Sequence, residues 1–208
     1  TDPTATPTDD ATDTLVKLIG QPDPSAIAAE IGSGYKIDPI VLDLDHHGIQ
    51  LTGSMSLDLN NDGKADTLAS PGTTDGILVA DLDHSGTIQN GSEVFSPSFG
   101  GGDYATSLDA LKIYDSNGDG KISADDAKFG DIGVWVDANG NGVSDAGEVH
   151  SLSDLGIAGI DLGANEVDFD IDGQHVFAQG TFELSNGETS DYVGVDLKSI
   201  TWIQAGQD

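Results

Sequence analysis

Apolar residues in this chain come in short runs that break at acidic turns, not in long amphipathic stripes. From Ile40 onward the runs IVLDLD (40–45), MSLDLN (55–60) and GILVADLD (76–83) alternate apolar positions with Asp or Asn. A strand with that pattern can bury one face and present oxygen on the other. IGVWV (132–136) predicts a further strand, and residues 157–197 predict strands and hairpins that turn at Asp172-Gly173 and Asn186-Gly187. Helical spacing is confined to short pieces. Leu108, Leu111 and Tyr114 predict a helix within 104–114, and Ala124–Phe129 and Ser151–Leu155 predict two shorter ones. Residues 14–31 carry Leu15, Val16, Leu18, Ile19, Ile27 and Ile31 around Pro22 and Pro24, which predicts helical turns near 14–19 and 24–31. Residues 1–13, rich in Thr, Asp and Pro, have little to bury and read as linker. The expected organisation is a partly helical upstream segment over 1–34 and a module over 35–208. Its expected fold class is α+β, with short strands, short helices and an irregular architecture organised around its loops.

Those loops share one arrangement. They read Asp43-Leu-Asp-His-His-Gly48, Asp58-Leu-Asn-Asn-Asp-Gly63, Asp81-Leu-Asp-His-Ser-Gly86, Asp115-Ser-Asn-Gly-Asp-Gly120 and Asp137-Ala-Asn-Gly-Asn-Gly142. An acid, a second oxygen ligand two residues on, a third two further and a glycine at the sixth position make an EF-hand-type Ca²⁺ loop. The strongest has Asp115, Asn117 and Asp119 as ligands, the Lys121 carbonyl, and Asp126 as closing acid. Its near equal has Asp137, Asn139, Asn141, the Val143 carbonyl and Glu148. A third offers Asp81, Asp83, Ser85 and Thr87, with Glu93 one residue late for closure. A fourth offers Asp58, Asn60, Asp62, Lys64 and Asp66, with Ala69 where the closing acid belongs. The weakest has Asp43 and Asp45, because His47 stands where an oxygen is expected and imidazole is a poor ligand for a hard cation. Asp168-Phe-Asp-Ile-Asp-Gly173 also fits the spacing, but its strand-like alternation favours a hairpin turn.

Charge sharpens the picture. The chain has 208 residues and a formal net charge of −30, from 31 Asp and 6 Glu against seven Lys and no Arg. Such self-repulsion opposes compaction unless cations offset it, so folding is expected to be coupled to about four or five Ca²⁺ ions. Nucleic acid is excluded as a partner because no basic patch can meet phosphates. There is no Cys, hence no disulfide scaffold. The five His have no zinc-type spacing, and no run of 18 apolar residues suggests a membrane span. With no basic-then-apolar leader either, the sequence reads as a module of a longer secreted or cell-surface bacterial protein.

One dipeptide adds chemistry. Asp38-Pro39 directly precedes the first strand, whereas Asp2-Pro3 and Asp23-Pro24 fall in linker-like sequence. An Asp carboxyl can attack its own main-chain carbonyl and close a cyclic anhydride while the prolyl nitrogen leaves. That tertiary amide nitrogen is comparatively basic, and a fold that holds the pair in reactive geometry gains from proximity.

The run Asp38-Pro-Ile-Val-Leu-Asp-Leu-Asp-His-His-Gly-Ile49 resembles the start of the FrpC-type self-processing module of RTX proteins. The likeness continues through Asp75-Gly-Ile-Leu-Val-Ala-Asp-Leu-Asp83, Gly91-Ser-Glu-Val-Phe95, Leu111-Lys-Ile-Tyr-Asp-Ser-Asn-Gly-Asp119, Val134-Trp-Val-Asp-Ala-Asn-Gly-Asn-Gly142 and Leu155-Gly-Ile157. It covers roughly residues 38–200. The resemblance implies calcium-induced autocleavage of the Asp38–Pro39 bond, and joining of the new Asp C-terminus to a lysine amine of another protein. The reaction would be single-turnover rather than turnover on an external substrate. This sequence departs from the family at His47, where the pattern favours Asp.

Two other readings compete. The loops at Asp115 and Asp137 are too close for two full helix–loop–helix hands but suit a dockerin-like repeat, which would make this a non-catalytic calcium-stabilised binding or spacer module. The same oxygen cages also suit trivalent lanthanides.

Overall fold

The computed structural model describes residues 37–59 and 63–198. The helical turns expected within 14–31, and the ligands Asn60 and Asp62, lie outside the described residues. Eleven strands run in chain order as β1 (Ile40–Leu42), β2 (Gly53–Leu57), β3 (Asp66–Ser70), β4 (Gly76–Val79), β5 (Lys121–Ser123), β6 (Gly133–Trp135), β7 (Val149–Ser151), β8 (Ile157–Asp161), β9 (Asn165–Ile171), β10 (Gln174–Leu184) and β11 (Thr189–Asp196). Among the described residues there is one α-helix, α1 (Ser107–Leu111), which runs on as a 3₁₀ turn through Tyr114.

The expected α+β class with several helices is therefore corrected: the described residues form a β-rich fold. The run at 104–114 does become helical, started by Thr106, whose hydroxyl accepts from the Asp109 N–H at 3.2 Å. The other two predicted helices are single turns: each opens with a bond of the kind that caps helices, but the chain passes into β6 or β8 within a few residues. At 124–129 the Asp126 carboxylate accepts from the N–H groups of Ser116 and Ser123 at 2.7 and 2.9 Å. At 151–155 the Ser151 hydroxyl accepts from Asp154 N–H at 3.0 Å, and Gly156 at φ 69° turns the chain into β8.

Nine strands make one antiparallel sheet in the order β5-β8-β10-β11-β1-β4-β6-β7, with β9 added along β10; β2 and β3 form a separate hairpin. β1 is central, paired to β11 on one side and β4 on the other. Its residues Ile40, Val41 and Leu42 are all fully buried. Ile40 and Leu42 enter a core with Leu78, Phe95, Leu111, Val134 and Tyr192, while Val41 enters a second core with Met55, Ile77, Trp135 and Val193. A strand covered on both faces reads as a continuous apolar run, which is what IVL is. Where β1 ends, the chain leaves the core directly into the loop at Asp43. The other predicted strands and both hairpin turns are present, with Asp172, Gly173 and Gly187 at positive φ.

Packing across β10 and β11 uses glycine. Gly180 is the register partner of Tyr192, whose buried ring lies over it and whose hydroxyl donates to the Asp161 carbonyl at 2.6 Å. A Cβ at Gly180 would meet the ring atoms Cζ and Cε1 and the hydroxyl. Gly180→Ala is expected to cost about 1–3 kcal/mol through overpacking. Urea denaturation in saturating calcium measures it, and an unchanged midpoint would contradict this packing.

Candidate functional site

Four of the five loops show the same backbone device at their fourth residue, and all five show it at the sixth. His46, His84, Gly118 and Gly140 occupy the fourth position at φ 60°, 60°, 74° and 71°. Gly48, Gly63, Gly86, Gly120 and Gly142 occupy the sixth at φ between 76° and 89°. Left-handed residues at these places coil the backbone so that N–H groups converge on the first acid. Gly48, Gly63, Gly86, Gly120 and Gly142 each donate to Oδ2 of Asp43, Asp58, Asp81, Asp115 and Asp137, at 3.1, 2.8, 2.7, 3.0 and 2.7 Å. The fifth residue donates in turn to the third: Asp119 N–H to Asn117 Oδ1, Asn141 N–H to Asn139 Oδ1, and Ser85 N–H to Asp83 Oδ1, at 2.9, 2.9 and 3.0 Å. The loops at Asp43, Asp115 and Asp137 follow strand or 3₁₀ segments and the last two exit into β5 and turns, so helix–loop–helix hands of the dockerin kind are absent among the described residues.

Closure is also shared. In the strongest loop the closing acid Asp126 accepts from the second residue, Ser116. Glu93 does the same for Leu82 at 3.2 Å and also takes the Gln89 N–H at 2.8 Å, so its late position in sequence leaves its role intact. Asp66 does so for Leu59 at 3.4 Å; that acid closes the loop, and Ala69 is simply a buried strand residue. In the loop at Asp137, Glu148 accepts from Asp145 N–H at 3.0 Å and from the Trp135 indole at 3.4 Å. Backbone donation, first from Ser123, holds the Asp126 carboxyl below its ordinary pKa. Of the seventh residues, Thr87 accepts from Ser85 Oγ at its carbonyl, at 2.9 Å, and Lys121 and Val143 donate their N–H groups to Asp119 Oδ1 and Asn141 Oδ1 at 2.9 and 2.7 Å.

The loop at Asp43 is closed by a residue from outside it. Asp75, immediately before β4, accepts from Gln50 N–H at 3.2 Å, and the N–H of Leu44, the second residue of the loop, favours its ionised form. That is the closing acid's role, supplied across the sheet. Carboxylate oxygens of Asp43, Asp45 and Asp75 lie within 4.8 Å of one another, as do those of Asp81, Asp83 and Glu93. Asp43 is 7% exposed and Asp75 1% exposed, and each has a buried Oδ1 with no hydrogen-bond partner. Burial, first of all, raises the Asp75 pKa. At an effective dielectric of ~20, two such charges about 5 Å apart repel by roughly 3 kcal/mol. Buried oxygens that lack donors and crowd together fit a hard cation. His47 does not intrude, since its side chain is 80% exposed and its ring lies against Asp45.

Asp75 was not among the residues singled out from the sequence as ligands, because it lies 32 positions past the loop's first acid and nothing local marks it. Asp145 was missed as well, although it was readable: it is the ninth residue of the loop at Asp137. Its carboxylate accepts from the side-chain amides of Asn139 and Asn141, both at 2.8 Å, and Asn139 first holds its pKa low.

Asp38 and Pro39 stand where β1 begins. Asp38 is buried at 4% exposure. The ladder with β11 extends past them: Val195 N–H donates to Pro39 O at 3.1 Å, and Leu197 N–H donates to Ile37 O at 3.2 Å. The dipeptide is thus clamped on both sides by one strand, five residues before the first acid of a loop.

Iron-regulated protein FrpA of Neisseria meningitidis serogroup C is 35% identical over 172 residues, which are 76% of this chain and 15% of that protein. The chain therefore spans only a small part of the length of that bacterial relative. No helix among the described residues is long and apolar enough to cross a membrane. The SPM domain model matches residues 40–198, which takes in every strand and all five loops, and this chain belongs to the SPM domain family.

Proposed function

We propose that this module binds Ca²⁺ at its loops, is ordered by it, and then cleaves its own Asp38–Pro39 bond in a single turnover. The observation that carries the reading is the position of that bond: a buried Asp-Pro pair, clamped by β11, at the head of a three-residue central strand that ends in the loop of Asp43, Asp45 and Asp75. Bound calcium would neutralise those three carboxylates and so anchor β1 at its far end. The other loops, with Asp58 and Asp66, with Asp81, Asp83 and Glu93, with Asp115 and Asp126, and with Asp137 and Glu148, would hold further ions by the same oxygen chemistry.

The residues of the chain perform the chemistry. The Asp38 carboxylate attacks its own main-chain carbonyl carbon, forming a C–O bond and a five-membered ring. The C–N bond to Pro39 breaks as the prolyl nitrogen takes a proton. Water opens the resulting anhydride to complete cleavage; a lysine amine opens it to an Asp–Lys isopeptide link. Burial of Asp38 limits premature access of water to the anhydride. Secretion as part of a larger protein accords with this design, because extracellular modules bind Ca²⁺ with Kd around 10⁻⁴–10⁻³ M.

The test is to add millimolar Ca²⁺ to metal-free protein and follow circular dichroism, size exclusion, gels and intact mass. The metal-free chain should be expanded, and calcium should compact it and then release residues 1–38 from a fragment beginning at Pro39. A metal-free state as compact as the loaded one would remove the coupling to calcium. An uncut chain after days in saturating calcium would leave a calcium-stabilised module without chemistry. Repeating the titration with a lanthanide decides which cation the loops prefer.

A further inference from the structure

The register of β1 and β11 pairs Ile40 with Gly194 and, carried back through the bonds to Pro39 O and Ile37 O, sets Asp38 opposite Asp196. Those two bonds bracket the pair without joining it. Such non-hydrogen-bonded positions bring facing side chains closest, with Cα atoms about 4.5 Å apart, and two carboxylates there repel. Pro39 has no N–H, so its nitrogen stands where a strand residue would donate to Val195 O. The leaving nitrogen therefore faces the strand that carries Asp196.

Asp196 is in turn the register partner of His175 on β10. The His175 ring sits between two carboxylates, with Nδ1 3.1 Å from Asp196 Oδ2 and Nε2 3.2 Å from Asp168 Oδ1. A neutral imidazole has one N–H and can donate to only one of them; the imidazolium satisfies both. Asp196 first, and Asp168 after it, raise the His175 pKa above 6.5. The charged groups facing the ring are Asp168 and Asp170 from β9, of which Asp170 is the register partner of His175, Asp196 from β11, and Asp38 one strand further on. Lys198 follows Asp196 on the same strand direction, but its Nζ is engaged by the Gly173 carbonyl at 2.7 Å.

We propose that His175 and Asp196 form a proton relay for the Asp38–Pro39 bond: the His175 imidazolium passes its Nδ1 proton to the Asp196 carboxylate, which hands it on to the departing prolyl nitrogen. The inference rests on the self-cleavage reading and names the groups that supply its proton. In the step the Asp38 oxygen bonds to the carbonyl carbon, the C–N bond breaks, and the nitrogen gains the proton that Asp196 loses. That proton is the one Asp196 has taken from the His175 imidazolium, and the neutral imidazole then takes another from solvent. Because the folded pKa of His175 is raised, the relay is loaded at acidic pH and empties as pH rises through that raised value.

The experiment is the pH profile of cleavage in calcium-loaded protein, read by gel, for wild type, His175→Gln, Asp196→Asn and Asp168→Asn. Wild type should slow as pH rises through an inflection above 6.5. His175→Gln should lose that inflection and cleave at least ~10-fold more slowly near pH 7; Asp196→Asn should be slow throughout, within the ~10²–10⁴-fold range of general acid catalysis. Asp168→Asn alters an exposed residue and should only move the inflection to lower pH. A second readout needs no cleavage: the His175 ring titration by NMR should fall in Asp38→Asn, because a negative neighbour is removed. Cleaving wild type whose profile is unchanged in His175→Gln and Asp168→Asn overturns the relay alone, as does a His175 titration indifferent to Asp38→Asn. A wild type that does not cleave overturns the self-cleavage reading and the relay with it.

Discussion

Replacing Asp38 by Asn abolishes cleavage and leaves calcium-induced folding intact; that is the largest effect expected of any single substitution here. The amide keeps the size and polarity of the side chain but is a far weaker nucleophile than a carboxylate, so the intramolecular attack that forms the anhydride is lost. The clamp on the dipeptide is made by backbone groups, Val195 N–H to Pro39 O and Leu197 N–H to Ile37 O, and survives the change. Folding should be preserved for a second reason: Asp38 faces Asp196 across the ladder, and removing one of two like charges relieves repulsion. Intact mass in saturating Ca²⁺ over several days reads the first half of the prediction, and circular dichroism reads the second. Cleavage that continues at the wild-type rate in Asp38→Asn would rule out the anhydride route. A variant that fails to fold with calcium would instead show that the carboxylate is structural, and the buried strand lead-in would need another explanation.

Asp75→Asn is expected to remove one calcium site and to slow cleavage at least ~10-fold at limiting calcium, although the residue lies outside every loop motif. Its carboxylate meets those of Asp43 and Asp45 and accepts from Gln50 N–H, and its buried Oδ1 has no donor of its own. A charged ligand in such a place contributes to affinity in both geometry and electrostatics. Without metal, burial raises the Asp75 pKa. The folded state then holds its proton more tightly than the unfolded chain, so stability falls as pH rises from the ordinary carboxylate range through the raised value. Calcium should reverse that dependence by favouring the ionised form. Calorimetric stoichiometry and a cleavage titration in Ca²⁺ check the substitution together. Unchanged stoichiometry with unchanged cleavage would show that Asp75 is not a ligand and that its burial has another purpose.

Much of the scaffold is legible along the chain because its determinants are local. Asp-x-Asp/Asn-x-x-Gly spacing is a rule about six consecutive residues, and the left-handed conformations at Gly120 and Gly142 are properties of those residues alone. Asp172-Gly173 and Asn186-Gly187 set their hairpins in the same local way. The helix within 104–114 is similarly readable, since Thr106 caps it and Leu108 and Leu111 bury one side. The runs at 124–129 and 151–155 stop at single turns although Asp126 and Ser151 make helix-type caps, because β6 and β8 begin within a few residues and claim the chain for the sheet, which apolar spacing does not reveal.

Closure of the loops shows the limit of spacing more sharply. Glu93 is one residue late, yet accepts from Leu82 as Asp126 accepts from Ser116, because a strand-linked turn absorbs the extra residue. His47 weakens its loop on paper, yet its ring points to solvent and the missing charge comes from Asp75. No pattern within the loop contains that information.

By itself the sequence determined the acidic loops, the buried character of β1 and the chemistry open to an Asp-Pro bond, because each depends on neighbours a few residues away. Only the tertiary structure decided that β1 is central, that Asp75 closes the first loop, and that Asp196 and His175 stand in a row beside Asp38. Those facts follow from pairing between strands distant in the chain, with Asp43 and Asp75 separated by 32 residues and Asp38 and Asp196 by 158. Which side chains then face one another is set by the sheet's register, and a shift of one residue would turn Asp196 to the opposite face.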